Sequence, residues 1–392
     1  MPNIKNYLSF IVLLFMCFFN LLFSKYIKNG YYEKQLNWNN EKIDLKNIKK
    51  EIINYQKNLS VGFENFESIE NPKISLIIPV YNQQKYLNNF YISIKRQSLK
   101  QIEIIFIDDA STDNSSKIIK EFMKKDKRII YLKNDINRRT FYSRKRGVLN
   151  SKGEYILIID PDDLLLNNIL EKAYETAKYY NLDILQFYMI IGSYKKNNVW
   201  KNLKCKSGIV YYPKIKEFFY QCRPPNLCDK LIKREIFIKS INFMGENYNY
   251  DRFEVHDDDL ATFGLFKIAK SYGFLEQIGY FYNCYNPNST THQFFKIKNV
   301  DKIFRTLFTI MKYFIEKSDN TRKDKLLAYK FFYKKVFRDC RSRIKFLNKN
   351  LNYIDEILQQ YLNCRYFKKE EKQNIKIFLN EIRKVKSRKN KL

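Results

Sequence analysis

Two short apolar runs, each ending in a knot of aspartates, constrain this chain more than any other feature. The first reads IEIIFIDDAST and delivers Asp108 and Asp109 at its end. The second reads EYILIIDPDDLL and delivers Asp160, Asp162 and Asp163. Runs of Ile, Leu, Phe and Tyr bounded by polar turn residues suit parallel strands buried on both faces. In open α/β sheets, ligands bind in the crevice beyond the carboxyl ends of such strands. The aspartates are therefore expected where a ligand sits.

Strand and helix alternate around both runs. ISLIIPV is an apolar strand, and Leu87, Phe90, Tyr91 and Ile94 then recur at helical spacing. Ser111 and Thr112 are expected to cap a helix that turns Ile118 and Phe122 to the core. RIIYL, a basic helical stretch from Arg138 to Leu149, YILII, a helix over Ile169 to Tyr179 and the strand DILQFYMII follow in turn. This order implies an α/β domain, a mainly parallel sheet flanked by helices with right-handed crossovers. Beyond Lys195 the pattern is less regular. A helix is expected over Lys230–Lys239, another after the triplet Asp257, Asp258 and Asp259, and SYGFLEQIGYFYNCY reads as paired strands. From about Phe295 the chain reads as helical and very basic.

At 392 residues and 45% hydrophobic, the chain has room for a catalytic domain and additions. Tyr7 to Phe23 is almost wholly apolar. That length is at the lower edge of the roughly 17–25 residues that span a bilayer. It is read as an uncleaved signal-anchor, with a cleaved signal peptide as the alternative. The expected organisation is a transmembrane segment over 1–24, a stem over 25–71, the main domain over 72–295 and a basic helical region over 296–392. The expected placement is a single-pass membrane protein facing the Golgi or endoplasmic reticulum lumen, or alternatively the cytosol. Seven cysteines without a C-x-x-C pair, and two histidines, argue against structural zinc. Cys222 and Cys228 would suit a bridge in a lumen. The net charge of +31 favours anionic partners, but the lysines are scattered rather than patterned. With no recognition module in the sequence, nucleic acid is not an expected partner.

Five carboxylates at strand ends would repel one another and any phosphate. A divalent cation reverses that, because Mg²⁺ or Mn²⁺ takes oxygen ligands and bridges carboxylates to substrate phosphates. Pro161 stiffens the turn, so Asp160 and Asp162 can address one ligand. A phosphorelay receiver also places acidic pairs on parallel strands, but the N-terminal apolar run and the third acidic cluster do not suit so compact a domain. There is no G-x-G-x-x-G and no G-K-S or G-K-T loop. Phosphates must then be held by metal and by basic side chains, for which Arg144, Lys145 and Arg146, just before Gly147, are placed to face the crevice.

ISLIIPVYN, IIFIDDASTDNS and SRKRGVLNSKGEYILIIDPDD, in that order and spacing, resemble the nucleotide-sugar half of family 2 glycosyltransferases. The resemblance covers about Lys73 to Gly192 and continues more weakly to about His292, through NLCDKLIKREIF and HDDDLATF. It implies the GT-A nucleotide-diphospho-sugar transferase fold and an inverting transfer from a UDP-sugar to a glycan, glycoprotein or lipid hydroxyl. It also implies that Pro79, Val80 and Tyr81 border the base and that Asp109 accepts from the uracil N3–H. Arg144 matches the arginine of the family's Ala-Arg-Asn segment, with Ser143 and Lys145 as altered neighbours. Asp160, Asp162 and Asp163 match the metal motif, with Mn²⁺ or Mg²⁺ as cofactor. Asp258 fits the second position of the family's Glu-Asp pair, which makes it the candidate base; Asp257 stands where Glu is usual, and Asp259 leaves room for a shifted register. Lys230, His256, Asp257 and His292 are candidate contacts to diphosphate or acceptor. A non-catalytic nucleotide-sugar or glycan-binding protein on the same fold is the alternative.

Overall fold

The computed structural model describes residues 45–57, 65–166, 168–192, 199–201, 208–212, 226–245 and 257–284, with isolated positions elsewhere. The chain divides into two compact units. One comprises Met1–Arg252 with Asp257–Asn286, the other Phe253–His256 with Pro287–Leu392. All elements named below belong to the first unit. The second contributes isolated helical positions between Lys317 and Arg383. The expected basic helical region therefore lies largely outside the described residues.

The first unit is built on β1 (Ile74–Val80), whose seven residues are all buried. It pairs in parallel with β2 (Ile102–Asp108) on one side and β4 (Tyr155–Ile158) on the other. Such burial requires the continuous apolar runs that the sequence carries there. β4 ends opposite Ile77, so Pro79, which has no N–H to donate, stands where β1 has no partner on that side. β3 (Ile129–Lys133) extends the parallel set beyond β2. The other half joins β4 through β9 (Lys230–Lys233), which runs antiparallel to both β4 and β6 (Ile184–Gly192). β10 (Ser271–Asn283) is parallel to β6, and β5 (Leu164–Leu165) is antiparallel to β10. The order is β3-β2-β1-β4-β9-β6-β10-β5. β7 (Val199–Lys201) pairs with β6, and β8 (Gly208–Tyr211) with β10.

Helices cover this sheet. α1 (Leu45–Lys57) precedes the domain and buries Ile48 and Ile52. α2 (Leu87–Lys95) buries Leu87, Phe90, Tyr91 and Ile94, as its spacing predicts. α3 (Ser115–Lys125) and α4 (Arg139–Leu149) follow β2 and β3. α5 (Ile169–Tyr179) precedes β6. α6 (Arg234–Met244) follows β9, and α7 (Asp257–Ile268) leads into β10.

Several expectations change. The sheet is mixed rather than mainly parallel, because β9 inserts between two parallel sets. Lys230–Lys233 is a strand, and the helix expected from Lys230 begins at Arg234. SYGFLEQIGYFYNCY is not a pair of strands but a single strand through Asn283, with register shifts around Ile278. The helix after β2 begins at Ser115, not at Ser111, and Ile119 rather than Ile118 is fully buried with Phe122. No helix among the described residues is long and apolar enough to cross a membrane, and the apolar run Tyr7–Phe23 lies outside them. Cys228 carries a free, buried thiol, and the buried Cys284 thiol donates to the Gly192 carbonyl (3.1 Å); Cys222 is outside the described residues, so the expected bridge is not found at Cys228.

Candidate active site

The site lies at the carboxyl ends of β1, β2 and β4. After β1 the chain turns through Asn82, whose φ of 54° is left-handed. Asparagine tolerates that conformation better than most residues. Its side-chain oxygen accepts the N–H groups of Thr112 (2.8 Å) and Asp113 (3.3 Å), which ties the β1 loop to the β2 loop. Tyr81, at the lip of this turn, is 45% exposed and open to stacking, whereas Pro79 and Val80 are buried and offer only backbone to a ligand. Asp108 is closed off: it accepts from the Ser111 N–H (2.8 Å) and the Tyr131 hydroxyl (2.6 Å). Asp109 is 3% exposed. Its Oδ1 accepts from Asn134 Nδ2 (2.7 Å) and the Arg138 N–H (2.8 Å), and its Oδ2 from the Arg139 N–H (2.8 Å).

The acidic loop after β4 is clipped to β10. Asp163 Oδ2 accepts from the Tyr280 hydroxyl (2.6 Å) and Oδ1 from the Asn283 N–H (2.8 Å). Asp162 Oδ2 accepts from Asn286 Nδ2 (2.7 Å). The Asp160 N–H meets the Tyr280 oxygen at 3.3 Å. Asp160 itself keeps 34% of its side chain exposed, while Asp162 and Asp163 are buried. Burial first, and then the Asp160 charge, push the Asp162 carboxyl up to about 6. Burial, with Asp162 and Asp160 beside it, raises Asp163 well above the carboxylate range.

Arg144 joins this loop to the third acidic cluster. It projects from α4, which sits directly on the sheet because Gly147 has no side chain. A Cβ there would fall 2.6 Å from Ile77 Cγ2 and 2.7 Å from Ile107 Cδ1. One terminal nitrogen of Arg144 donates to Asp160 Oδ1 (3.1 Å). The other donates to Asp257 Oδ2 (3.0 Å) and to Asp258 Oδ1, both in the first turn of α7. A planar guanidinium presents its donors in a fixed fork, so it sets the spacing of the carboxylates around it. Burial raises Asp258, and Asp257 and Asp160 add to the effect; against the pull of Arg144 its carboxyl still rises to about 7. Asp258 keeps 31% of its side chain exposed, so an approaching molecule can reach it. Asp259 is buried, so the register that addresses Arg144 is Asp257 and Asp258.

Other candidates separate from this group. Lys230 is fully buried and its ammonium is spent on Asp229 Oδ1 (2.6 Å) and the Asn226 carbonyl, so the expected contact with diphosphate or acceptor is corrected to an internal ion pair. Asp229 in turn accepts from Gln186 Nε2 (2.6 Å). His256 and His292 lie outside the described residues. Asn134, Tyr280, Asn283 and Asn286, which hold the carboxylates, were not singled out in the sequence. They stand outside the acidic motifs, and Tyr280, Asn283 and Asn286 lie 117 or more residues along the chain from the aspartates they hold.

Among the described residues no group of three or more His, Cys, Asp or Glu side chains is disposed to hold a metal ion. What the site does offer is a guanidinium outnumbered by carboxylates: Asp160, Asp257 and Asp258 bond Arg144, and Asp162 and Asp163 lie near Asp160.

Residues 75–241 match the family model described as Glycosyl transferase family 2. Glycosyltransferase GlyG of Streptococcus pneumoniae is 36% identical over 121 residues, 31% of this chain and 38% of that protein. An uncharacterized glycosyltransferase of Haemophilus influenzae is 43% identical over 101 residues, 26% of this chain and 40% of its own length. The chain thus spans well under two thirds of these relatives. The crystal structure of S. aureus TarS 1-349 in complex with UDP-GlcNAc shares the fold, with a TM-score of 0.59 at 16% identity over 73% of this chain and 81% of that one. The fold is thereby the GT-A-like α/β fold. The relatives are mainly bacterial glycosyltransferases, so the expected placement at the Golgi or endoplasmic reticulum is corrected; no helix among the described residues is long and apolar enough to cross a membrane.

Proposed function

From the match of residues 75–241 to the Glycosyl transferase family 2 model, we propose that the chain is a metal-dependent, inverting glycosyltransferase that moves a sugar from a UDP-sugar to a hydroxyl of a glycan, protein or lipid. The observation that carries this reading is the reach of Arg144, whose single guanidinium bonds both Asp160 on the donor side and Asp258 on the facing helix. A leaving diphosphate on one side and an acceptor hydroxyl on the other would meet across that span. In-line displacement needs this opposition.

In the reaction, the acceptor oxygen bonds to the anomeric carbon as the bond from that carbon to the diphosphate oxygen breaks. The diphosphate leaves with the electron pair, and the configuration inverts. Asp258 takes the hydroxyl proton, a task suited to a carboxyl raised to about 7. Asp160 and Asp162 are the residues that would hold a divalent cation. Asp163, with both oxygens bonded to β10, positions the loop. Mg²⁺-type sites are commonly completed by substrate phosphates, so one or two protein carboxylates suffice. The cation's contribution would be to neutralise charge on the departing diphosphate. Tyr81 would stack on the base, and Asp109 would accept from uracil N3–H. The UDP-GlcNAc seen with TarS, a protein of the same fold, supports a UDP-sugar donor.

The test is Asp258→Asn, read by UDP titration and by transfer. UDP binding should stay within about threefold, while transfer falls by about 10²–10⁴, the range for a general base. Loss of UDP binding together with transfer would make Asp258 a structural residue and remove it from the mechanism.

A further inference from the structure

The Asp109 carboxylate is unusually well supplied with donors from its own chain. An ionised carboxylate has about four acceptor positions, two on each oxygen. Among the described residues, Asn134 Nδ2 and the Arg138 N–H fill those of Oδ1, and the Arg139 N–H takes one on Oδ2. One position remains, on a side chain that is 3% exposed. The three donors come from the connection between β3 and α4 and from the first residue of α4. Arg139 holds a φ of 71°, a conformation that non-glycine residues rarely adopt.

Asn134 is the side chain in this cage. It is 3% exposed, and its N–H and both polar atoms of its side chain are engaged. Its N–H donates to the Asp108 carbonyl (2.8 Å), its Oδ1 accepts from Arg146, and its Nδ2 also reaches Ser143 Oγ (3.1 Å). It therefore locks the carboxyl end of β2 to α4, and the Nδ2 hydrogen aimed at Asp109 cannot swing away.

Resting on the uridine-nucleotide reading above, we propose that Asn134 is the positioning residue that sets base selectivity. By filling Oδ1 of Asp109 it leaves a single acceptor position. That matches the one imide N–H of uracil and not the adjacent N1–H and amino donors of guanine, which need two acceptors side by side. Removing the Asn134 amide gives Oδ1 back an acceptor position and admits the guanine edge.

The experiment is calorimetric titration of the full chain, wild type and Asn134→Ala, with UDP and with GDP in the presence of Mn²⁺. Wild type should prefer UDP by about tenfold or more, the worth of one hydrogen bond to a charged group. In the variant that preference should collapse by about tenfold, through weaker UDP and stronger GDP binding. Asn134→Ser, which is too short to reach Oδ1, should give the same collapse and serves where the alanine variant does not fold. A purely structural Asn134 would lower both affinities by one factor, and an unchanged UDP to GDP ratio overturns the inference alone. A folded wild type that binds no UDP overturns the donor reading and this inference with it.

Discussion

Asp162 shows at the scale of one residue what this site does with charge. Its carboxyl is 8% exposed and lies beside Asp160, so it rises from 3.8 to about 6 on folding. A carboxyl whose folded value is raised holds its proton more tightly in the folded state. Its contribution to stability is present below about pH 4, where both states are protonated, and is lost as pH rises through about 6. The loss amounts to about 3 kcal/mol at neutral pH. Asp162→Asn keeps the oxygen that accepts from Asn286 and removes the charge. In thermal melts of the metal-free chain, this variant should be the more stable at pH 7 and should show a shallower decline between pH 4 and 6, the remainder coming from Asp163 and Asp258. A variant with the same decline as wild type would show that Asp162 is not the strained carboxyl. Metal binding would reverse the effect, because a cation favours the ionised form.

At the scale of elements, the site depends on α4 lying flat on β1 and β2. Gly147→Ala puts a methyl 2.6 Å from Ile77 and 2.7 Å from Ile107, and the helix must lift or the isoleucines must move. Overpacking of this kind costs about 1–3 kcal/mol. The expected outcome is a lower midpoint of thermal unfolding together with weaker UDP binding, since Arg144 rides on the same helix. Unchanged UDP affinity at reduced stability would separate the helix from the site. This element-level order was legible in the sequence from β1 to β6, apart from the two-residue β5, because strands buried on both faces must be apolar throughout and helices must show one apolar stripe. The legibility ended at β9. KLIKREIF carries a helical rhythm from Lys230, and only the flanking β4 and β6 make its first four residues a strand. It failed again in β10, where Glu276, Gln277 and Gly279 look like a turn. They fall instead at register shifts between Leu275 and Tyr280, which keep one strand running. The acidic residues themselves were legible, since aspartates after buried strands have few other places to be. Their holders were not: Tyr280, Asn283 and Asn286 reach the Asp160 loop across 117 to 124 residues, and nothing in their local sequence marks that contact.

For the whole molecule, the +31 charge and the site point in opposite directions. The described centre is acidic, and its aspartates outnumber the guanidinium that joins them. A phosphate-bearing donor would enter such a centre only with a cation to offset the carboxylates. That makes metal dependence the claim on which the account turns. The direct measurement is release of UDP from a panel of UDP-sugars by the full chain with Mn²⁺, repeated with chelator and with Asp162→Ala. UDP release should require the metal and disappear in both controls, with the variant still folded. UDP release that continues undiminished in chelator, or in Asp162→Ala, would contradict it.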